Sequence, residues 1–318
     1  MAFYSPDGAM DQILGDAIGR LEAEGRPGLA SALSVSWIRY GNSLRQSGVG
    51  ASSSAAFWQL PLAGASWNGQ QARYPASVVK LLYLVAAEAW LQRQLIEDSP
   101  ELRRALADMI RDSSNDATSM VVDLLTGTSS GPELPAGAFE RWSEQRQLVN
   151  RWYCELSWPE WSDCNACQKT WSDGPYGREH QFYGAELENR NRLSTDLTAR
   201  LLHAVMAGAV VSPPACSRMQ ELLARSLDPA ERAADPENQV DGFIGAGLPE
   251  GSRLWSKAGW MSQARHDAAY VEIPDHQPFL LVIFSEGAAL AQDEQLLPSL
   301  TRQLAQACQL GHDTARQS

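Results

Sequence analysis

A serine and a lysine stand three residues apart in the stretch RYPASVVKLLYL, which runs from Arg73 to Leu84. Residues at positions i and i+3 share one face of a helix, so Ser77 and Lys80 would be neighbours there. A serine hydroxyl needs a base beside it to become a nucleophile, and a lysine can be that base only when burial or a nearby positive charge lowers its pKa. The same spacing also fits an ordinary helix start, with Ser77 as the N-cap and Lys80 in solvent. The apolar residues after Lys80 favour its burial.

Two further segments combine polar side chains with turn or strand signals. In RDSSNDAT, Ser113, Ser114 and Asn115 fall between two expected helices. They could aim a hydroxyl and an amide into a cleft, or they could serve only as a polar turn. In LWSKAGW, Lys257 lies two residues before Gly259 in an expected strand. A glycine there permits the close approach of a ligand to the strand, although such a segment can equally be an ordinary strand end.

In this chain order, the segments YPASVVKL, SSN and SKAG resemble the S-x-x-K, S-x-N and K-[TS]-G motifs of the serine β-lactamase and penicillin-binding-protein superfamily. Class A β-lactamases are the most similar branch. The resemblance covers residues 10–310 and is weaker between Leu134 and Asn191. It implies a serine hydrolase that opens an amide, such as a β-lactam ring, through an acyl-enzyme.

The resemblance implies a role for each matching residue. Ser77 would be the acylated nucleophile, and Lys80 would be its base or proton relay. Ser113 would pass a proton to the leaving nitrogen, and Asn115 would bind the amide side chain of the substrate. Lys257 would hold the pocket positive and help to lower the pKa of Lys80.

The same resemblance gives roles to the strand that carries Lys257 and to the next strand. The backbone N–H groups of Ser77 and Trp260 would form an oxyanion hole. Arg265 could pair with a substrate carboxylate in bidentate fashion, or it could be a surface residue. Ala258 stands where the superfamily has a threonine or serine that contacts the substrate carboxylate. This departure argues against high affinity for ordinary β-lactams.

A glutamate that would activate water for deacylation is harder to assign. The R-x-E-x-x-L-N string of class A β-lactamases is absent, and GREHQFYGAELEN offers Glu179, Glu186 and Glu188 instead. We place Glu179 first and Glu186 second, because Glu179 has the better distance from the helix that begins near Ser194. Each could also be a plain surface carboxylate. Without such a base, the acyl-enzyme would persist, as in a penicillin-binding protein.

The elements that must position these residues come in the order helix, two strands, helical middle, three strands, helix. This order predicts a single α+β domain over residues 1–318, with a five-stranded antiparallel sheet and flanking helices. Residues 1–75 and 245–318 would supply the sheet, and 76–244 an all-helical region. A Trp- and Cys-rich insertion spans about 134–191. Within it, 138–156 is predicted to be one helix, and 158–192 a long ordered loop.

Composition excludes several classes of partner. The formal net charge of −12 argues against binding to nucleic acid or to an anionic membrane surface. The N-terminus lacks signal-peptide features, which predicts a cytoplasmic protein, or a periplasmic one if a leader had been removed. Five cysteines at irregular spacing fit a reducing compartment. Cys164 and Cys167 form a single C-x-x-C pair, which is too little for a zinc site, so we expect no metal and no cofactor.

The expected partner is therefore a small-molecule or peptide-like amide substrate. A D-alanyl-D-alanine peptidase of the penicillin-binding type, or a cytoplasmic amidase or esterase, is the first alternative activity. A binding protein that kept the fold without catalysis is the competitor from another class, favoured by Ala258 and by the missing R-x-E-x-x-L-N string. The joint presence of Ser77, Lys80, Ser113 and Lys257 favours an enzyme.

Overall fold

One mixed sheet forms the centre of the computed structural model, which describes residues 3–45, 57–58 and 61–310. Its strands are β1 (Ser5–Pro6), β2 (Leu33–Arg39), β3 (Ala63–Trp67), β4 (Ala224–Arg225), β5 (Arg253–Met261), β6 (Ala264–Glu272) and β7 (Phe279–Glu286). They lie in the order β1-β3-β2-β7-β6-β5-β4. The pair β1–β3 is parallel, and all other pairs are antiparallel. An α+β sheet built from both ends of the chain is confirmed.

The expected number of five strands is wrong, because the described part of the chain contains seven. The two additional strands, β1 and β4, are two-residue edge strands, and they are too short to produce an alternating pattern in the sequence. The segment AAFWQLPLAG predicts the second strand over residues 55–64. In the structure, this strand is β3, at Ala63–Trp67. Residues 55–56 and 59–60 of that segment lie outside the described residues.

The helices in the described residues are α1 (Gly8–Ala23), α2 (Leu29–Ala32), α3 (Lys80–Gln92), α4 (Pro100–Arg111), α5 (Asn115–Thr126), α6 (Ala136–Arg146), α7 (Leu148–Glu155), α8 (Gly177–Tyr183), α9 (Thr195–Met206), α10 (Pro213–Leu223), α11 (Pro229–Ala234), α12 (Ala288–Gln292) and α13 (Leu296–Gln306). Short 3₁₀ turns occupy Ala76–Val79, Pro159–Trp161 and Ile244–Gly247. The middle of the chain is helical, as the sequence predicts. No helix in the described ranges is long and apolar enough to cross a membrane.

The Trp- and Cys-rich insertion differs in two places from its expected structure. The single helix predicted over 138–156 is divided into α6 and α7 at Gln147, where ψ is 2° and the backbone leaves the helical path. The predicted loop over 158–192 contains the 3₁₀ turn Pro159–Trp161 and the helix α8. Trp142 and Phe182 share a small apolar cluster with Cys167 inside the insertion, whereas Trp152, Trp158 and Trp161 pack into a main core of the protein.

The sheet separates two apolar layers. On β7, Leu281 and Ile283 pack into one layer, and Leu280 and Val282 pack into the other, because successive side chains of a strand point to opposite faces. Helices α1 and α13 cover the first layer, and α3 and α9 lie in the second. Every residue of α3 from Lys80 to Trp90 is buried. The lysine at the start of α3 is therefore held away from water.

Candidate active site

The turn that carries Ser77 is an unusual start to a helix. Residues Ala76–Val79 form a 3₁₀ turn directly before α3, and the backbone N–H of Lys80 donates to the carbonyl of Ser77. Ala76 has a φ of +45°, which costs a residue with a side chain free energy. The hydroxyl of Ser77 makes no hydrogen bond to any described residue and is not an N-cap. It instead lines a cleft.

This cleft has a volume of about 410 Å³ and lies between β5, the α4–α5 connection and the segment before β5. It is lined by most of the predicted site residues, namely Ser77, Ser113, Asn115, Gly259, Trp260 and Arg265, together with Ala258. Lys80 and Lys257 are buried beneath it, with no exposed side-chain surface. The structure thus brings three segments that are far apart in the sequence to one place.

Lys80 is surrounded by acceptors from the α4–α5 connection. Its Nζ donates to the carbonyl oxygen of Ser113, to Ser113 Oγ at 3.2 Å and to Asn115 Oδ1 at 2.9 Å. Burial lowers the pKa of Lys80 to about 7. Near neutral pH, a large share of this lysine is therefore neutral and able to accept a proton.

Lys257 approaches the same hydroxyl from the opposite side. Its Nζ donates to Ser113 Oγ at 3.0 Å, to Gln239 Oε1 at 2.6 Å and to the carbonyl of Ala258 at 2.7 Å. Burial, followed by repulsion from Lys80, lowers the pKa of Lys257 well below its usual value. For Lys80 itself, burial rather than the charge of Lys257 causes the lowered pKa. The sequence resemblance implies that the charge of Lys257 helps to lower the pKa of Lys80. In the structure, burial is the cause of the lowered pKa.

In the turn Ser113–Asn115, one polar side chain caps a helix and the other two face the cleft and its lysines. Ser114 is the N-cap of α5, because its Oγ accepts a hydrogen bond from the N–H of Ala117 at 3.1 Å. Ser113 has a φ of +56°, and its hydroxyl lies within hydrogen-bonding distance of both lysines. Asn115 also donates a long hydrogen bond of 3.5 Å to Ser172 Oγ in the insertion. Ser114 thus caps a helix, while Ser113 contacts both buried lysines and Asn115 contacts Lys80.

Gly259 lets strand β5 approach the turn of Ser77 closely. A Cβ atom at this position would lie 2.9 Å from the backbone nitrogen of Ser77 and 2.9 Å from the carbonyl oxygen of Pro75. Real Cβ atoms are not found this close to backbone atoms, so no other residue fits without moving the strand or the turn. The close approach places Gly259 against the backbone of Ser77 and Val78, and Trp260 is the next residue along the strand.

Arg265 lies on β6 directly opposite Trp260. Only 5% of its surface is exposed, so the surface interpretation of this residue is wrong. Its Nε donates to the carbonyl of Ala291 at 2.9 Å, as the indole N–H of Trp260 also does. Its guanidinium stacks on the ring of Phe243 at 5.1 Å. The guanidinium lines the cleft but is already bound to the protein.

Glu179 is not brought into this cleft. It is wholly buried, and its Oε1 accepts hydrogen bonds from Arg146 Nη2 at 2.6 Å and Ser130 Oγ at 2.8 Å. Lys169 Nζ lies 3.6 Å from the same oxygen and bonds to Asp123 Oδ2 at 2.8 Å. These residues form a buried ion cluster that joins α5, α6 and α8.

Glu186 and Glu188 are exposed in the turn after α8 and do not line the cleft either. The backbone N–H of Glu186 donates to Glu188 Oε2 at 3.0 Å. Glu188 also packs against Gly184, where a Cβ atom would lie 2.1 Å from its carboxylate. None of the three candidate glutamates is therefore beside Ser77.

The cysteine pair of the insertion has no partner ligands for a metal. Within the described ranges, no group of three or more His, Cys, Asp or Glu residues could hold an ion. Cys167 Sγ lies 3.2 Å from Asn165 Oδ1, and Cys164 Sγ lies 3.9 Å from Ser194 Oγ. Burial raises the pKa of Cys164 to about 11 and that of Cys167 to about 12. Both thiols are therefore protonated near neutral pH.

Sequence reasoning missed the residues that hold Lys257. Gln239 accepts from Lys257 Nζ and from the N–H of Ala258, and its amide donates to the carbonyls of Ile110 and Arg111 at the end of α4. It follows a polar turn and belongs to no motif. Asp267 lies opposite Ala258 on β6 and accepts a hydrogen bond from the N–H of Ile244 at 3.1 Å, not from Lys257. Its position has a signal in the sequence, because an acidic residue inside the apolar strand HDAAYVEI is unusual.

Comparison with family models gives one match, to the model described as the beta-lactamase enzyme family, over residues 88–308. The matched range contains Ser113, Asn115 and Lys257 and begins after Lys80. A comparison with curated proteins gives no match.

Solved structures share the fold at low sequence identity. A beta-lactamase from Sphaerobacter thermophilus DSM 20745 has a TM-score of 0.62 and 18% identity, covering 93% of this chain and 97% of that one. The TLA-1 extended-spectrum beta-lactamase has a TM-score of 0.63 and 10% identity, covering 93% and 98%. PBP-A has a TM-score of 0.59 and 16% identity, covering 96% and 97%. At these identities, the likeness shows the β-lactamase-like fold.

Proposed function

This chain belongs to the beta-lactamase enzyme family, and from that premise we propose that it is a serine hydrolase that opens an amide or ester through an acyl-enzyme on Ser77. The observation that carries the proposal is the position of Ser113 Oγ, 3.2 Å from Lys80 Nζ and 3.0 Å from Lys257 Nζ. Burying two lysines beside one hydroxyl costs free energy of folding. Groups with pKa values perturbed in this way cluster at functional sites, where they transfer protons.

The proposed acylation uses only groups of this chain. Ser77 Oγ attacks the substrate carbonyl carbon, and its proton passes to the neutral amine of Lys80, directly or through one water. The N–H groups of Ser77 and Trp260 stabilise the negative oxygen that forms. Ser113 then gives its proton to the leaving nitrogen or oxygen and recovers one from Lys80. The carbonyl–leaving-group bond breaks, and the acyl group remains on Ser77.

We propose slow deacylation for this site. Activation of water needs a base within hydrogen-bonding reach of the acyl carbon, and Glu179, Glu186 and Glu188 all lie outside the cleft. The exposed carboxylates that do line the cleft, those of Asp112, Glu237, Asp241 and Glu294, make no hydrogen bond to Ser77. Lys80 is the base that the proposal assigns to Ser77, and the same amine already serves acylation. The behaviour would then be closer to that of a penicillin-binding protein than to that of a fast β-lactamase. A PBP-A mutant has been captured as an acyl-enzyme complex with penicillin-G.

The test is covalent labelling followed by intact mass measurement. The protein, Ser77→Ala and Ser114→Ala are each incubated with a fluorescent penicillin and with a neutral alkyl fluorophosphonate. We expect a stable adduct on the unaltered protein and on Ser114→Ala, whose serine is an N-cap, and none on Ser77→Ala. Fast turnover of a chromogenic cephalosporin would instead indicate an efficient β-lactamase. No adduct with either reagent, or an adduct retained by Ser77→Ala, would overturn the proposal.

A further inference from the structure

The end of the cleft next to Trp260 has little capacity to bind a negative group. Ala258 offers a methyl group instead of a hydroxyl, and its N–H is bonded to Gln239 Oε1 at 3.2 Å. Lys257 Nζ already has three acceptors within 3.0 Å. Arg265 is held by the carbonyls of Ala291 and Gly242. Arg265 Nη2 makes no hydrogen bond to a described residue and lies 3.8 Å from Glu294 Oε1, so a substrate carboxylate there would have to compete with Glu294.

Four carboxylates also line the cleft. Asp112, Glu237, Asp241 and Glu294 line it, and all four are exposed. Asp241 is paired with Arg232 outside the cleft, and Glu294 lies 3.8 Å from Arg265. Asp112 and Glu237 have no ion-pair partner among the described residues. Low-dielectric walls focus the field of such charges into a cleft, where it attracts cations.

An aromatic face is present at the mouth of the cleft. Trp260 is 53% exposed, although its indole N–H is fixed by the carbonyl of Ala291 at 2.9 Å. A tryptophan ring is the best aromatic partner for a cation, and aromatic rings with nearby carboxylates are the usual recognition elements for ammonium groups. The guanidinium of Arg265 already lies over this ring, 5.8 Å from its centroid, and the exposed part of the indole is a second feature that favours a positive ligand group.

From these contacts, and resting on the proposed function, we infer that the cleft selects substrates whose leaving group carries an ammonium or quaternary ammonium charge. The charged group would lie against Trp260, within the field of Asp112 and Glu237. Penicillins place a carboxylate on the leaving side, so they would acylate Ser77 more slowly than a cationic ester or amide of equal reactivity.

Three thioesters with one acyl group test the inference: butyrylthiocholine, its neutral carbon isostere with a 3,3-dimethylbutyl thiol, and S-butyryl-3-mercaptopropionate. Thiol release is followed with one colorimetric reagent, and butyrylation of Ser77 is followed by intact mass. In about 10 mM salt, where the Debye length is about 30 Å, we expect kcat/KM to be at least about tenfold higher for the cation than for the anion. The ratio should fall severalfold in about 0.1 M salt.

Two double variants distinguish the effect of carboxylates in the cleft from the effect of the protein's net charge on the cation-to-anion ratio. Asp112→Asn combined with Glu237→Gln should lower the cation-to-anion ratio of kcat/KM severalfold, with the rate for the neutral isostere measured in the same variant as the reference. The matched control is Asp11→Asn combined with Glu140→Gln, which removes two exposed carboxylates outside the cleft. This control should leave the ratio unchanged.

Two failures can be distinguished. If Ser77 takes up neither penicillin nor fluorophosphonate, the proposed function fails. If Ser77 is labelled by either reagent, but the cationic thioester reacts no faster than the anionic one, the inference on charge is overturned. It is also overturned if the cleft variant and the control variant change the ratio equally.

Discussion

Lys80 stands in an environment that disfavours its own charge, since no part of its side chain is exposed. Its pKa of about 7 means that the neutral, proton-accepting form grows as the pH rises through this value. We predict that the rate of Ser77 acylation rises with pH and levels off above about 7. Stopped-flow labelling with a neutral fluorophosphonate between about pH 5 and pH 9 measures it.

Lys80→Met should lower the acylation rate about 10² to 10⁴-fold, because the base is lost while the volume is nearly kept. Lys169→Met, at another buried lysine outside the cleft, should retain the pH profile of the folded protein. A flat profile in the unaltered protein, or the same profile in Lys80→Met, would exclude Lys80 as the base.

A substitution of Glu179 tests whether this residue stabilises the fold or acts as a base in deacylation. Glu179→Gln leaves the buried Arg146 with only its longer contact to Asp123, at 3.5 Å, as an ion pair, and removal of one partner from a buried pair typically costs about 3–5 kcal/mol. We expect the free energy of unfolding in urea to fall by about this amount. The deacylation rate of the folded protein should stay the same. Glu186→Gln, at an exposed position, should change the free energy of unfolding by less than about 0.5 kcal/mol.

A large drop in deacylation rate for Glu179→Gln, with little loss of stability, would return Glu179 to the role of a base. The sequence could not decide this, because GREHQFYGAELEN contains three glutamates without a periodic pattern. The burial of Glu179 depends on Arg146, which comes from another helix. Ser77, Lys80, Ser113 and Lys257 could be grouped from the sequence because each lies in a short motif with fixed spacing. Gln239 lies in none.

At the scale of elements, the contact between β5 and the turn Ala76–Val79 governs the site. A Cβ atom at Gly259 would collide with backbone atoms on that turn, and backbone cannot rotate away as a side chain can. We predict that Gly259→Ala lowers the acylation rate about 10² to 10³-fold, the loss typical of one missing oxyanion donor. Penicillin labelling and circular dichroism measure the activity and the fold.

Gly19→Ala is the matched control for this substitution. Gly19 lies inside α1, and a Cβ atom there would meet nothing within 4 Å. It should stabilise the helix by up to about 1 kcal/mol and leave acylation unchanged. Equal acylation rates for Gly259→Ala and the unaltered protein would show that the close approach has no part in catalysis.

Local patterns were sufficient for elements with strong signals. Helix starts are signalled by the N-cap serines Ser99, which precedes Pro100, and Ser194, and a helix end is signalled by Gly127. The structure has helix ends at all three positions. The sequence patterns failed where contacts with residues distant in the sequence determine the secondary structure. The strands β1 and β4 exist only through pairing with β3 and β5, and Gln147 divides a segment that is periodic throughout.

At the scale of the whole molecule, three buried groups that do not line the cleft, His203, His266 and Asp267, add to the pH dependence of folding. Burial lowers the pKa of His203 to about 3 and that of His266 to about 4, and it raises the pKa of Asp267 to about 7. Between about pH 4 and pH 6.5, the unfolded chain binds two protons on these histidines that the folded chain excludes. The folded chain keeps one proton on Asp267 that the unfolded chain has lost. Together they lower stability by about 1.4 kcal/mol for each unit of pH decrease.

His203→Phe should remove one of the two histidine contributions. We predict that, between about pH 6.5 and pH 4.5, the free energy of unfolding of this variant falls less steeply than that of the unaltered protein, by about 1.4 kcal/mol for each pH unit. Urea unfolding at several pH values measures both slopes. A ring of similar shape keeps the stacking on Tyr40 and Phe57. Parallel slopes would contradict a neutral, buried His203.

The pairing of β2 with β7 has a consequence for the growing chain on the ribosome. Ser77 and Lys80 leave the exit tunnel before Lys257, Gly259 and the strands β6 and β7 that pair with β5 and β2. Such long-range pairing must wait until these later strands have been made. Under the proposed function, we therefore expect Ser77 to stay unreactive in a nascent chain until β7 has been translated.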